Sequence, residues 1–181
     1  MKKQIGILAV LLLVMAALSF GAWALTEKQI DHNEEASIEA ARSAVLPGSA
    51  SFAEEEFESS DGVNENIEGV WKSDKGYAIE TKAYGYHDDV CLMVGVDMEG
   101  KVVGLQVLEL NETPGLGRQA KNDRDFLSQF LGTAGTAALD DNVDALSGAT
   151  VTTKAFIKAV NAASAYVTGA DISSGATEWE G

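Results

Sequence analysis

The sequence is short of cysteine, histidine, proline and basic residues. Its single cysteine, Cys91, excludes an intrachain disulfide, and no cysteine or histidine spacing resembles a zinc or iron–sulfur site. Only 13 Lys and Arg stand against 28 Asp and Glu, which gives a formal net charge of -15. Because binding to a nucleic-acid backbone depends on clustered cations, this balance argues against a nucleic-acid partner. His32 and His87 are isolated in the sequence, so neither is predicted to be catalytic and no metal site is predicted.

The composition is typical of one folded domain. Only 2 prolines accompany 18 glycines and 46% hydrophobic residues, which excludes a fibrous or disordered chain. Once an apolar N-terminal stretch is set aside, about 150 residues remain, a usual size for a single domain. Cys91 lies in an apolar run, where a buried and inert thiol is expected. No Ser/His/Asp or paired-carboxylate arrangement is visible, so hydrolase chemistry is not predicted.

The first residues predict a membrane segment. The stretch from Gln4 to Thr26 carries no charge and, at about 1.5 Å per residue, is long enough to cross a hydrocarbon core of roughly 30 Å. Two lysines precede it, which predicts a cytoplasmic N-terminus. We therefore expect a single-pass protein of the cell membrane, with residues 1–26 as the transmembrane anchor and residues 27–181 as the extracytoplasmic domain. The alternative is a cleaved signal peptide, because residues 22–24 (Ala-Trp-Ala) have the form that signal peptidase reads, and this alternative also exports the domain.

Hydrophobic periodicity predicts an α+β domain. An amphipathic helix is expected from Glu27 to Leu46, ended by Pro47-Gly48. Apolar or alternating runs predict an antiparallel meander of three strands: Tyr77 to Tyr84, Val90 to Val96 and Val102 to Leu110. Helical spacing returns in two later segments, Asp123 to Leu131 and Thr152 to Val167. The expected fold is an antiparallel sheet with flanking helices, preceded by one N-terminal transmembrane helix.

Two segments contain residue types that a plain core would not use, Asn111 to Gly117 and Asp144 to Thr150. The second leads directly into a predicted helix, where small residues let an anionic group approach backbone N–H donors and the positive end of the helix dipole. This is the outline of a phosphate site. Taken alone, Ser147 to Thr150 could be only a helix cap, and Pro114-Gly115 could be only a type II turn.

Together these segments resemble the FMN-binding domain family, which includes the G subunit of the Rnf ion-translocating ferredoxin:NAD oxidoreductase and the C subunit of the sodium-translocating NADH:quinone reductase. In that family, Asp-x-x-Ser/Thr-Gly-Ala-Thr is the substrate of an exported flavin transferase, which links FMN through its phosphate to the last threonine. Residues 144–150 match this motif. Residues 112–117, Glu-Thr-Pro-Gly-Leu-Gly, match the second signature of the family. The histidine that the family often carries before this glutamate is absent here, where Leu110-Asn111 stand.

The resemblance implies a role for each motif residue. Thr150 is the expected acceptor of covalent FMN, Asp144 is expected to present or activate its hydroxyl, and Thr152 is the alternative acceptor. The small residues that keep the approach to the acceptor open are Ser147, Gly148 and Ala149. The residues expected to line the flavin ring or ribityl chain are Glu112, Thr113, Leu116 and Gly117. The alternative for this second group is a tight turn with a solvated Glu112.

The implied function is an electron-transfer subunit in a membrane complex that couples ferredoxin:NAD electron transfer to Na⁺ or H⁺ translocation. A short chain with one anchor resembles the Rnf G subunit more than the longer reductase subunit. The implied partners are the other subunits of an Rnf-type complex, the exported flavin transferase and the membrane. As an enzyme it would act only as an oxidoreductase subunit, with the redox chemistry in the flavin and no catalytic side chain. Two alternatives are a membrane-tethered flavin sensor or regulatory module and a solitary exported flavoprotein reductase.

Overall fold

The computed structural model describes residues 2–59 and 64–169. Five strands form one antiparallel sheet whose spatial order follows the chain. The elements in sequence order are α1 (Lys2–Val45), β1 (Ala53–Glu54), β2 (Ile67–Lys72), β3 (Gly76–Tyr84), β4 (Asp89–Asp97), β5 (Val102–Leu110), a 3₁₀ helix (Gly117–Lys121), α2 (Arg124–Ser128) and α3 (Thr150–Thr168). The predicted α+β class, with an antiparallel sheet and flanking helices, is therefore confirmed.

The three predicted strands are the long ones, β3, β4 and β5. β3 and β4 pair in unbroken register from Gly76 opposite Asp97 to Tyr84 opposite Asp89. The sequence does not predict β1 and β2, since β1 has only 2 residues and the register between β2 and β3 shifts at a bulge near Gly69. The two extra strands widen the sheet on the side away from β5.

One face of the sheet packs against α3 and forms the core. The helix buries the apolar residues at the spacing that the sequence predicts, which are Phe156, Ala159, Val160 and Ala163. Phe156 also meets Phe126 and Phe130 from the α2 region, with ring centroids 5.2 and 6.1 Å apart. Because α3 begins at Thr150, this packing fixes the position of the predicted acceptor.

The chain divides into two compact units, residues 1–40 and 41–181. The first consists of α1 up to Ala40, a helix that is continuous through Glu27, where the sequence predicts the junction between two elements. The helix ends before Pro47, as predicted. Within the part of the chain that the structure describes, no helix has the length and apolarity that crossing a membrane requires. The anchor of residues 1–26 therefore stays a prediction.

The last turn of α1 belongs to the second unit and lies on the sheet face opposite α3. Val45 is buried there against Gly95 and Gly104, which pair across β4 and β5. A Cβ on either glycine would clash with the Val45 carbonyl oxygen. Beside this contact, the Arg42 guanidinium lies 4.6 Å from the centroid of the Trp71 ring. The two faces of the sheet are thus covered by different helices.

Candidate functional site

The predicted acceptor segment is a loop that runs into the N-terminus of α3. Gly148 has a φ of +72°, and Ala149, with φ -133°, precedes the first helical residue, Thr150. No side chain caps this 19-residue helix. The N–H groups of its first turn therefore have no side-chain acceptor, and they point toward the exposed end of the helix. This arrangement suits an anionic group such as a phosphate.

Only one of the three threonines at the start of α3 is exposed. Thr150 is exposed, whereas Thr152 is 1% exposed and Thr153 is fully buried. The Thr152 hydroxyl faces the second motif, since a Cβ built on Gly117 would lie 2.5 Å from its Oγ1. An enzyme that modifies a hydroxyl must reach it, so the geometry favours Thr150 over the alternative acceptor Thr152.

Thr153 organises the loop in front of the acceptor. Its hydroxyl accepts a hydrogen bond from the Leu146 N–H at 3.2 Å and donates one to the Ala149 carbonyl at 3.0 Å. The Leu146 N–H and the Ala149 carbonyl are thereby hydrogen-bonded to the first turn of α3. The sequence does not indicate this role, since a threonine at this position reads equally well as an ordinary helix-start residue.

The remaining residues of the first motif differ in exposure. Ser147 and Asp144 are exposed, while Ala149 is buried. The Asp144 backbone N–H donates to Gln129 Oε1 at 2.7 Å, but the structure shows no hydrogen bond between the Asp144 carboxylate and Thr150. The expected activation of the acceptor by Asp144 stays a prediction.

The second motif forms the turn that its sequence predicts. The Leu116 N–H donates to the Thr113 carbonyl at 3.2 Å, with Pro114 second in the turn and Gly115 third. Gly115 has a φ of +79°, the angle that a type II turn requires at this position. Thr113 is half-buried and Leu116 is 42% exposed, so both present atoms at the surface of the loop.

Glu112 is buried, which argues against the alternative of a tight turn with a solvated Glu112. It is 2% exposed, and its Oε1 accepts hydrogen bonds from the backbone N–H groups of Tyr86 at 2.7 Å and His87 at 3.4 Å. These donors lie in the loop between β3 and β4. The hydrogen bonds satisfy the buried carboxylate, which would otherwise be costly to remove from water.

The fold brings the two motifs into contact, although residues 118–143 separate them along the chain. A Cβ on Gly148 would lie 2.9 Å from Leu116 Cδ2. A Cβ on Gly117 would lie 3.0 Å from the Glu112 Cβ and 2.5 Å from Thr152 Oγ1. Space therefore requires glycine at position 117, whereas Gly148 is favoured by its φ of +72°, since the end of the exposed Leu116 side chain can move. The loop of residues 112–117 forms one wall beside the start of α3.

A cleft of about 370 Å³ borders this loop, a volume within the usual range for small-ligand sites. Its lining residues are His87, Asp88, Asn111, Glu112, Thr113, Pro114 and Arg118. The sequence does not indicate His87, Asp88 or Arg118 as lining residues, and it includes Asn111 in a singled-out segment without giving it a role. Arg118 could have been found, since it directly follows the motif. His87 could not, because it reaches the cleft only through the pairing of β3 with β4.

Cys91 is half-buried rather than buried, and it is a poor nucleophile. Burial, together with the nearby Glu109 carboxylate, raises the pKa of its thiol to about 11. The neutral thiol therefore dominates at physiological pH, in agreement with the expected inert residue.

Among the described residues, no group of His, Cys, Asp and Glu has the arrangement of a metal site.

Residues 85–165, which contain the paired motifs and the exposed Thr150, match the model of the FMN-binding domain family. The matched range contains the β3–β4 loop, both motifs and most of α3. The predicted resemblance to this family is thus confirmed for the part of the chain that forms the site.

The similar proteins are G subunits of ion-translocating complexes. Over 99 residues the chain is 37% identical to the G subunit of the proton-translocating ferredoxin:NAD(+) oxidoreductase complex of Clostridium ljungdahlii, covering 51% of this chain and 53% of the relative. It is 37% identical over 95 residues to the G subunit of the ion-translocating oxidoreductase complex of Vibrio parahaemolyticus, covering 46% of this chain and 44% of the relative. The corresponding protein of Haemophilus influenzae is 37% identical over 94 residues, covering 45% and 44%. The chain spans about half the length of the curated relatives it matches.

Proposed function

We propose that this chain is an electron-transfer subunit that carries FMN esterified through its phosphate to Thr150. The observation that carries this proposal is the exposed Thr150 hydroxyl at the uncapped N-terminus of α3, next to a loop that matches the second family signature. The two neighbouring threonines are buried, which leaves Thr150 as the exposed one of the three. The similarity of residues 85–165 to the FMN-binding domain family supports FMN as the cofactor.

The residues present fit such a group. The free N–H groups of the first turn of α3 would hold the phosphate, and the small residues before Thr150 would leave room for it. Leu116 and Thr113 would contact the ring or ribityl chain, with Gly117 allowing the loop to approach α3 closely. When bound, FMN supplies the electron-carrying chemistry, and the protein holds and positions it.

We further infer that the chain works in a membrane complex that couples ferredoxin:NAD electron transfer to Na⁺ or H⁺ translocation. Its relatives support this, since they are G subunits of proton- or ion-translocating oxidoreductase complexes. The uncharged stretch from Gln4 to Thr26 supports an anchor at the N-terminus, with the domain outside the cytoplasm. Co-purification with multi-spanning subunits separates this role from that of a tethered flavin sensor or a solitary reductase.

Flavin attachment tests the proposal. The full chain, coexpressed with an exported flavin transferase, is expected to stay fluorescent on denaturing electrophoresis and to show the mass of one added flavin phosphoester. Thr150→Ala should abolish both signals, because it removes the exposed hydroxyl. Thr152→Ala is the matched control and should keep them, since its hydroxyl is packed against Gly117. A colourless wild-type band, or loss of flavin only in Thr152→Ala, would contradict the assignment.

A further inference from the structure

The cleft beside the second motif has walls from two distant parts of the chain. One wall is the loop 85–88, which joins β3 to β4, and the other is the segment 111–118 after β5. The two walls meet at the buried Glu112, whose Oε1 accepts the N–H groups of Tyr86 and His87. A carboxylate that accepts backbone N–H groups makes stronger hydrogen bonds than a neutral acceptor does. The hydrogen bonds to the Glu112 carboxylate are therefore the principal contact between the walls.

Gly85 makes this contact possible. A Cβ at this position would clash with Glu112 Oε1 and would lie 2.8 Å from the Asp88 carbonyl oxygen. The backbone of Gly85 does not have a positive φ, so its lack of a side chain matters for space alone. The loop 85–88 is itself closed by a hydrogen bond from the Gly85 N–H to the Asp88 carbonyl at 3.0 Å. The close approach of the Glu112 carboxylate therefore depends on the glycine at position 85 and on the closed conformation of the loop.

The other hydrogen bonds at the cleft are weaker or lie within one wall. Asn111 Nδ2 reaches Asp88 Oδ2 at 3.4 Å, but this pair is exposed. Arg118 Nε donates to the Glu112 carbonyl at 3.2 Å, which steadies the segment 111–118 from its own side without crossing the cleft. Water competes for the exposed pair of Asn111 and Asp88, whereas the Glu112 carboxylate is shielded.

We propose that Glu112 is a positioning residue: its carboxylate holds the loop 85–88 against the segment 111–118 and thereby sets the position of the loop 112–117, which the proposed function places against the flavin. That the flavin lies against the loop 112–117 rests on the proposed function, whereas the contact between the two walls does not. This role replaces the expectation that the Glu112 carboxylate lines the cofactor, because Oε1 is occupied by the Tyr86 and His87 N–H groups.

Amide hydrogen exchange tests the contact without any flavin. In the unflavinylated full chain, Glu112→Ala should speed exchange of the Tyr86 and His87 amides by about tenfold or more, the factor expected for loss of one ordinary hydrogen bond. Glu112→Gln keeps an oxygen in the same place and should exchange close to the wild-type rate. Gly85→Ala should act like Glu112→Ala, since it displaces the carboxylate without removing it. Unchanged exchange in both alanine variants would overturn the proposal.

The flavin midpoint potential tests the consequence. In flavin-loaded protein, Gly85→Ala and Glu112→Ala should shift the potential in the same direction, and the double variant should shift it no further than the larger single change. Tyr84→Ala, a change to an exposed side chain at the end of β3, is the control and should leave the potential unchanged. A shift in Glu112→Gln as large as in Glu112→Ala would mean that the charge acts directly on the flavin, and would refute positioning. Absence of covalent flavin from the wild-type chain would instead contradict the proposed function and leave the exchange result standing.

Discussion

Single side chains decide which part of each motif is available for chemistry. Thr150, Thr152 and Thr153 lie within one turn of α3, yet one hydroxyl is exposed, one is packed against a glycine and one ties down the preceding loop. Their chemistry is the same, and only their surroundings separate the proposed acceptor from the two buried threonines. The same holds for Glu112, whose burial changes it from a surface carboxylate to an internal hydrogen-bond acceptor.

Thr153 offers a test at this level. Thr153→Val keeps the shape of the side chain but leaves the Leu146 N–H and the Ala149 carbonyl without the hydroxyl between them. We expect flavin loading of Thr150 to slow several-fold and the free energy of unfolding to fall by about 1–2 kcal/mol. The loaded fraction is followed over time by intact mass. Thr153→Ser should restore the wild-type loading rate, and wild-type loading by the valine variant would show that the hydroxyl does not organise the loop.

Among the elements, the end of α1 and the sheet depend on a pair of glycines. Alternation along β4 puts Gly95 on the face opposite its core neighbours Val94 and Val96, which pack on the side of α3. Gly104 pairs with it from β5, and together they leave room for the backbone of the last helical turn. The helix end can therefore approach the sheet closely, with Val45 buried in the contact.

Gly104→Val tests this contact. The added side chain would meet the Val45 carbonyl oxygen, a backbone atom that cannot rotate away. We expect a loss of stability of about 1–3 kcal/mol, the usual range for overpacking, read as a lower midpoint of thermal unfolding. Val103→Ala, a change at the neighbouring exposed position, should cost no more than about 0.5 kcal/mol. Equal midpoints for Gly104→Val and the wild type would show that the helix end does not rest on the sheet in solution.

At the level of the whole chain, the N-terminal segment and the domain that follows it differ in charge. Residues 27–181 contain all 28 acidic residues and 11 of the 13 basic ones, whereas the stretch from Gln4 to Thr26 has no charge. This difference in charge is the basis of the prediction that residues 1–26 lie in the membrane and residues 27–181 lie outside it.

The topology has its own test. We expect the full chain to stay in the membrane fraction after an alkaline wash, because an uncharged stretch of this length inserts stably. Protease added to intact spheroplasts should digest the domain and leave a short membrane stub, with a cytoplasmic protein as the control for intact cells. A mature N-terminus at Leu25 would identify a cleaved signal peptide, and a protected domain would reverse the predicted orientation.

Much of the fold is predictable because its signals are local. The alternation in β3, β4 and β5, the helical spacing of α3 and the helix end before Pro47 each depend on a few neighbouring residues. β1 and β2 are missed because one is very short and the other contains a bulge at Gly69, so neither shows a clear alternation. The continuity of α1 is missed for a different reason, since a change from apolar to amphipathic sequence does not require a break in the helix.

The sequence by itself determines the α+β class, the three long strands, the type II turn and the two motifs that resemble the FMN-binding domain family. Those features depend on residue types at short spacing along the chain, because conformational propensity and hydrophobic periodicity are local properties. Only the tertiary structure decides that the motifs touch, that Thr150 is the exposed one of the three threonines at the start of α3, and that Glu112 holds the loop carrying His87. Exposure and contacts of this kind depend on how α3 and the sheet pack together, and packing joins residues that the chain keeps far apart.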